Sequence, residues 1–267
     1  MSSSVSPIAD KRQLKKAEQH LKKHFDEAYY LIWRIGIETG LRITDITELR
    51  YDDIDIETRK VRVMENKGTR ARQAKARLNV LNQVKEELLV YFQNNKRQLL
   101  DVYMAQPQDI ISLIPAAWKS KVEKRIDDAV AQAAPRWRVA YLTKDTVRQL
   151  VARSQRWKGK DNGFVFSRST LASNRARNQK GVISRQACWK VFSQLTDVLA
   201  TIHKRVKVGC HSTRKSFARH LYFSSGKDIS LLMSVIGHQS VTTTLRYIGV
   251  SDDEASSAQL QLHRYLH

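Results

Sequence analysis

Apolar residues recur at helical spacing along most of this chain, so helices are the main expectation. Leu14, Ala17 and Leu21 mark one face of a helix over residues 10–23, and Lys11, Arg12, Lys15, Lys16, Lys22 and Lys23 fill the rest. Ala28, Tyr29, Leu31, Ile32, Ile35 and Ile37 predict a strongly apolar helix over 25–39, closed by Gly40 as its C-cap. Thr44 is the expected N-cap of a short helix running through Leu49. Residues 59–64 alternate in character and predict a strand. Asn66-Lys67-Gly68-Thr69 reads as a hairpin turn, with residues 76–80 as the returning strand. A long helix follows over 79–100. The stretch from there to about 159 mixes helical pieces with Pro107, Pro115 and Pro135. Phe164 to Ser167 reads as a short extended piece. Further helices are expected over 184–203, 212–225, 228–236 and 242–247, the middle pair split at Gly226. Residues 1–7 are small and polar and are expected to fray. The fold class is therefore mainly α within α+β, with a small antiparallel sheet.

Charge narrows the choice of partner. The 267 residues hold 47 Lys and Arg against 26 Asp and Glu, a formal net charge of +21, so a polyanion is the expected partner. No apolar run approaches the roughly 20 residues of a spanning helix, and nothing at the start of the chain reads as a signal peptide. Nucleic acid is thus favoured over a membrane surface. The two cysteines, Cys188 and Cys210, suit a reducing, cytoplasmic compartment better than a disulfide scaffold. No His/Cys spacing suggests zinc, and no cofactor is expected.

Four segments carry candidate chemistry. They are Thr39-Gly40-Leu41-Arg42-Ile43-Thr44-Asp45, Lys67, His211-Ser212-Thr213-Arg214, and Gly237-His238 with Tyr247 nine positions on. Each alone has an ordinary reading: Arg42 could pair with Asp45, Lys67 could be a turn lysine, His211 and Arg214 could cap a helix, and Tyr247 could be a core aromatic. Together they supply what transesterification of a phosphodiester requires. The reaction passes through pentavalent phosphorus carrying extra negative charge, which fixed donors stabilise more in the transition state than in the ground state. Arginine meets two oxygens with one planar fork and keeps its charge. A tyrosine hydroxyl, with a reference pKa of about 10, must shed its proton as it attacks. A histidine can accept that proton or orient the hydroxyl, and a lysine can protonate the leaving oxygen.

These segments resemble those of the tyrosine recombinases, also called the phage integrase family. The family pattern is an Arg in a T-G-L-R-x-x-E/D context, a hairpin Lys, H-x-x-R, G-H and Tyr. Arg42 matches the first arginine and Asp45 the supporting acid. Lys67 matches the hairpin lysine, His211 and Arg214 match H-x-x-R, His238 the residue after glycine, and Tyr247 the nucleophile. The resemblance covers about 25–90 and 162–250. It implies a helical catalytic domain with a small antiparallel three-stranded sheet and a site-specific recombinase working through 3′-phosphotyrosine. No metal or cofactor is implied. The implied partner is double-stranded DNA, bound by a homotetramer on two sites. Integration, excision, inversion and resolution all remain open.

Against that pattern, residues 1–24 form a basic N-terminal segment too short for the family's all-helical clamp domain. The catalytic domain then spans 25–250 with an insertion at about 97–160, and residues 251–267 form a tail that could pass between protomers, through Leu260, Leu262, Tyr265 and Leu266, or pack on their own domain. Lys15, Lys16, Lys22 and Lys23, with Lys119, Lys121, Lys124 and Arg125, are the candidate phosphate contacts that would replace the clamp. The compact plan points to a plasmid or phage resolvase, or a small inversion enzyme, of a mobile element. Two other readings stay open: a type IB-like topoisomerase or hairpin telomere resolvase, and a non-catalytic DNA-binding regulator.

Overall fold

The structure is a computed structural model describing residues 5–135, 137–171, 181–200 and 206–250, with the backbone alone at residues 66 and 67. It divides into two compact units: Met1–Arg62 with Val139–His267, and Val63–Arg138.

The first unit opens with α1 (Lys11–His24), capped by the Asp10 carboxylate, which accepts from the Arg12 amide at 2.7 Å. Ala17 and Leu21 bury its apolar stripe. Helix α2 (Glu27–Thr39) is buried on most sides, and Trp33 meets Phe192 edge-on with centroids 5.1 Å apart. It ends where Gly40 turns left-handed, at φ 61°. Helix α3 (Ile43–Thr47) starts from Arg42, whose extended backbone serves as N-cap without a side-chain bond. The expected cap, Thr44, lies inside the helix. Strand β1 (Ile54–Asp55) pairs antiparallel with β2 (Lys60–Met64), Ile54 opposite Val61.

The second unit overturns the predicted hairpin. Asn66 to Tyr91 is one 26-residue helix, α4, so there is no turn at 66–69 and no returning strand at 76–80. The reason is visible in its burial. Val80, Leu81, Val84 and Leu88 fall on one helical face and pack with Val122 and Ile126 of a later helix. The first half is rich in Arg, Ala, Gln and Lys, all good helix formers, which outweigh the roughly 1 kcal/mol disfavour of Gly68. The long helix expected over 79–100 is also broken. It stops at Tyr91, and Asn95 caps a separate α5 (Lys96–Met104) by accepting from the Gln98 amide. Helices α6 (Ile110–Leu113) and α7 (Ala116–Gln132) complete this unit, and Arg125 of α7 pairs with Glu87 of α4 at 2.9 Å.

Strand β3 (Trp137–Tyr141) supplies the third strand, and the sheet order is β1-β2-β3. The expected sheet thus forms, but its third strand comes from far later in the chain. Helix α8 (Lys144–Trp157) belongs to the first unit and is tied to α2. Arg34 reaches Asp145 at 2.7 Å, and Glu38 accepts from the hydroxyls of Thr143 and Thr146. The fully buried Arg153 donates to the Val165 carbonyl and the Thr170 hydroxyl. The helix predicted over 184–203 is two pieces among the described residues, α9 (Arg185–Ser193) and α10 (Leu195–Leu199). Then come α11 (Cys210–Ser224), α12 (Ile229–Ile236) and α13 (Val241–Ile248). Ala218, Leu232, Ile236 and Ile248 form the small core they share.

The chain start departs from expectation as well. Of the segment expected to fray, residues 5–7 are described and held. Ser6 donates its amide to Lys207, and Val5 offers its carbonyl to Lys215. The next residue, Ile8, is fully buried. Its amide donates to Ser216 and its carbonyl bonds the His220 ring.

Candidate active site

Helix α11 organises the site. His211 and Arg214 stand three positions apart and therefore share a face. The helix can lie close on α2 because α2 has Gly36 at the crossing. A Cβ there would sit 2.7 Å from the Thr213 hydroxyl oxygen. Close approach brings the end of α2 to Arg214, which is buried. Its Nη1 donates to the Gly40 carbonyl at 2.5 Å and its Nη2 to the Ile236 carbonyl at 2.6 Å. These carbonyls lie two residues before Arg42 and two residues before His238. One guanidinium therefore ties together the two turns that present the other site residues.

Both turns are built from local chemistry. Thr39 donates its hydroxyl to Ile35 and accepts the Leu41 amide, which leads the chain out of Gly40. Arg42 then stands at the head of α3, its Nη1 4.0 Å from the carboxylate of Asp45, which is buried one turn on. At the other turn Gly237 ends α12 in the left-handed region, at φ 71°. His238 follows, and Ser240 caps α13 by accepting from the Thr243 amide. Along α13 the Tyr247 ring meets His238 at 79°, centroids 4.9 Å apart.

The electrostatics show the same convergence. His238 is pushed below the ordinary histidine value by burial first, then by Arg214 and Arg42. His211, open to solvent at the helix start, is pushed down by the protein around it, then by Arg185, Arg214, Lys215 and Arg42. Both rings are therefore biased toward the neutral form. Arg42, Asp45, His211, Arg214, His238 and Tyr247 thus come together in the first unit, from segments about 200 positions apart.

Lys67 is not among them. It lies in the first turn of α4, in the second unit, so the idea that a hairpin carries it does not hold. Of the lysines singled out on α1, Lys15, Lys22 and Lys23 are exposed and Lys16 is half-buried; Lys22 lies 4.4 Å from the centroid of the Tyr30 ring. Lys119, Lys121 and Lys124 are exposed on α7, whereas Arg125 is held by Glu87. The tail of residues 251–267 lies outside the described residues. Among the described residues no group of His, Cys, Asp and Glu could hold a metal ion, and no helix is long and apolar enough to cross a membrane.

Sequence reasoning missed two residues here. The Lys215 ammonium lies 5.4 Å from the Tyr247 ring centroid while donating to the Val5 carbonyl at 2.7 Å. Thr244, fully buried, sits 3.2 Å from His238 Nδ1. Lys215 is next to Arg214 and Thr244 ends a run of three threonines, but neither neighbourhood says which side chain faces which ring.

The mainly helical fold with its small antiparallel sheet is that of a tyrosine-recombinase catalytic domain. Two solved structures share it at low identity: XerA recombinase (TM-score 0.54, 16% identity, 97% of this chain and 66% of that one) and XerH site-specific recombinase bound to its palindromic difH substrate in a post-cleavage complex (0.56, 14%, 97% and 53%). The chain belongs to the phage integrase family, whose pattern matches residues 9–254. It is 36% identical over 81 residues to tyrosine recombinase XerD of Staphylococcus aureus and 33% identical over 81 residues to that of Staphylococcus epidermidis. Each match covers 30% of this chain and 26% of the relative, so about a quarter of the curated relatives' length is spanned.

Proposed function

We propose that this chain cuts and rejoins double-stranded DNA as a site-specific recombinase, with Tyr247 as the nucleophile. The observation that carries the reading is the contact between Tyr247 and His238 beside the Arg214 brace. A tyrosine, a neutral imidazole and two arginines fixed by backbone bonds form a constellation suited to phosphoryl transfer. In the proposed reaction Arg42 and Arg214 stabilise the charge on phosphorus, and Asp45 steadies Arg42. His211 and His238 handle protons and orient oxygens. The Tyr247 oxygen displaces the 5′ oxygen and leaves a 3′-phosphotyrosine. Resealing reverses the step and needs no external energy, because the phosphodiester is conserved in the linkage. For Lys67, the role of proton donor to the leaving oxygen rests on the family motif. The chain's own charge supports DNA as substrate, and the XerH structure supports it by analogy. Assembly as a tetramer on two sites belongs to the same proposal.

The test is to incubate the protein with a library of duplex fragments, denature, and recover DNA covalently attached to it. One recurring sequence, lost with Tyr247→Phe, is the expected result. Adducts spread evenly over all sequences would indicate a topoisomerase. DNA binding with no adduct would indicate a regulator and overturn the reading.

A further inference from the structure

Behind the His238 ring lies a short relay of side chains. Thr244 is fully buried, and its hydroxyl donates to the Ser240 carbonyl one turn back, at 2.7 Å. The same oxygen lies 3.2 Å from His238 Nδ1. A hydroxyl has one proton to give. The shorter, linear helix-type bond to Ser240 takes it, so toward His238 the oxygen accepts. Nδ1 then carries the ring hydrogen, and Nε2 of the neutral ring keeps its lone pair. Which ring nitrogen is protonated is set by the bond the other one makes.

We infer that Thr244 is a positioning residue that holds His238 in the Nδ1–H tautomer, leaving Nε2 as the base that receives the phenolic proton of Tyr247. This rests on the proposed cleavage reaction. As the tyrosine oxygen bonds to phosphorus, its O–H bond breaks and the proton passes to Nε2, giving an imidazolium whose Nδ1–H still points to Thr244. The 5′ oxygen leaves with the electrons of the broken P–O bond and takes its proton from a different group. On rejoining, the imidazolium returns its proton to the departing phenolate.

The surroundings suit a base that must start neutral. Burial, Arg214 and Arg42 all hold the free ring below the ordinary histidine value. A bound phosphodiester brings negative charge that offsets the two arginines, so proton affinity rises when substrate is present. Ser240 has two tasks in this frame. Its hydroxyl caps α13, and its carbonyl fixes the direction of the Thr244 hydroxyl.

The experiment uses the full chain labelled with 15N in its histidine rings, with His238→Gln to assign the signal. Wild type and Thr244→Ser are expected to show His238 protonated at Nδ1 at neutral pH. Thr244→Val fills the same space without an oxygen and is expected to move the ring to the Nε2–H form. On a DNA site recovered as above, cleavage by Thr244→Val should fall by at least about 10-fold, part of the roughly 10²–10⁴ a positioned base contributes. Thr244→Ser should stay near wild type. A wild-type ring protonated at Nε2 overturns the inference by itself, even if Thr244→Val fails to fold. So does unchanged cleavage in a folded Thr244→Val. If the wild type shows the Nδ1–H ring but forms no adduct on any DNA, the tautomer assignment stands and the base role falls with the recombinase reading.

Discussion

Arg214 donates to the carbonyl of Gly40, 174 positions earlier in the chain, at 2.5 Å. Its second nitrogen reaches Ile236, so this one buried side chain sets the spacing between the Arg42 turn and the His238 turn. Lysine would keep the charge but lose the fork. Arg214→Lys is therefore expected to reduce single-turnover cleavage by about 10²-fold or more, the scale of losing one charge-stabilising donor. DNA affinity should change far less. Comparable cleavage by Arg214→Lys and wild type, measured on a trapped DNA site, would refute the brace.

Gly40 itself is constrained twice. Its φ is 61°, and an added Cβ would lie 2.2 Å from Cδ1 of the Phe217 ring. Gly40→Ala should destabilise the protein by about 2–4 kcal/mol, combining left-handed strain with overpacking. Chemical denaturation measures this. Cleavage by the folded fraction should also fall, because Arg42 is two residues away.

Lys215 shares its ammonium between the Val5 carbonyl and the face of the Tyr247 ring. Burial pushes its pKa down from the ordinary lysine value. Lys215→Met should slow cleavage by about 3- to 30-fold, corresponding to the roughly 0.5–2 kcal/mol of a cation over an aromatic face. Removing residues 1–8 should slow cleavage in the same direction, since it takes away the Val5 anchor. Single-turnover adduct formation reports both.

Stability should fall on acidification through the histidines. His211, His220 and His238 all have folded values below the ordinary 6.5. The unfolded chain therefore binds protons first as pH drops. Their contribution is fully present above about pH 6.5 and is lost as pH falls toward the folded values. Urea midpoints should be level from pH 8 to 7 and decline below 6.5. Replacing His220 and His238 with Gln should flatten that decline.

Lys67 offers a chemical test independent of its place on α4. If it protonates the 5′ oxygen, Lys67→Ala should lose cleavage of ordinary DNA and recover it on DNA with sulfur at that position, since a thiolate leaves unprotonated. Loss on both substrates would assign the proton to another group.

Much of this site was legible in sequence because local patterns encode local chemistry. T-G-L-R, H-x-x-R and G-H with a tyrosine nine positions on are short motifs, and each is set by its own turn or helix. The left-handed glycine after α2 and the amphipathic face of α1 were readable for the same reason. Residues 66–91 were not. A basic, alanine-rich segment carries too little alternation to separate turn and strand from helix, and its state was decided by Val84 and Leu88 packing with Val122 and Ile126, some 40 residues away. The third strand likewise came from 137–141, since strand pairing is a long-range choice. Only the tertiary structure could show that Val5 anchors Lys215, or that Thr244, and not Thr242 or Thr243, stands behind His238. The amino-acid sequence names which chemical groups are present and in what order. Which of them touch depends on how helices distant in the chain pack, because side-chain contacts of a few ångströms are set by the close-packed core and not by separation along the chain.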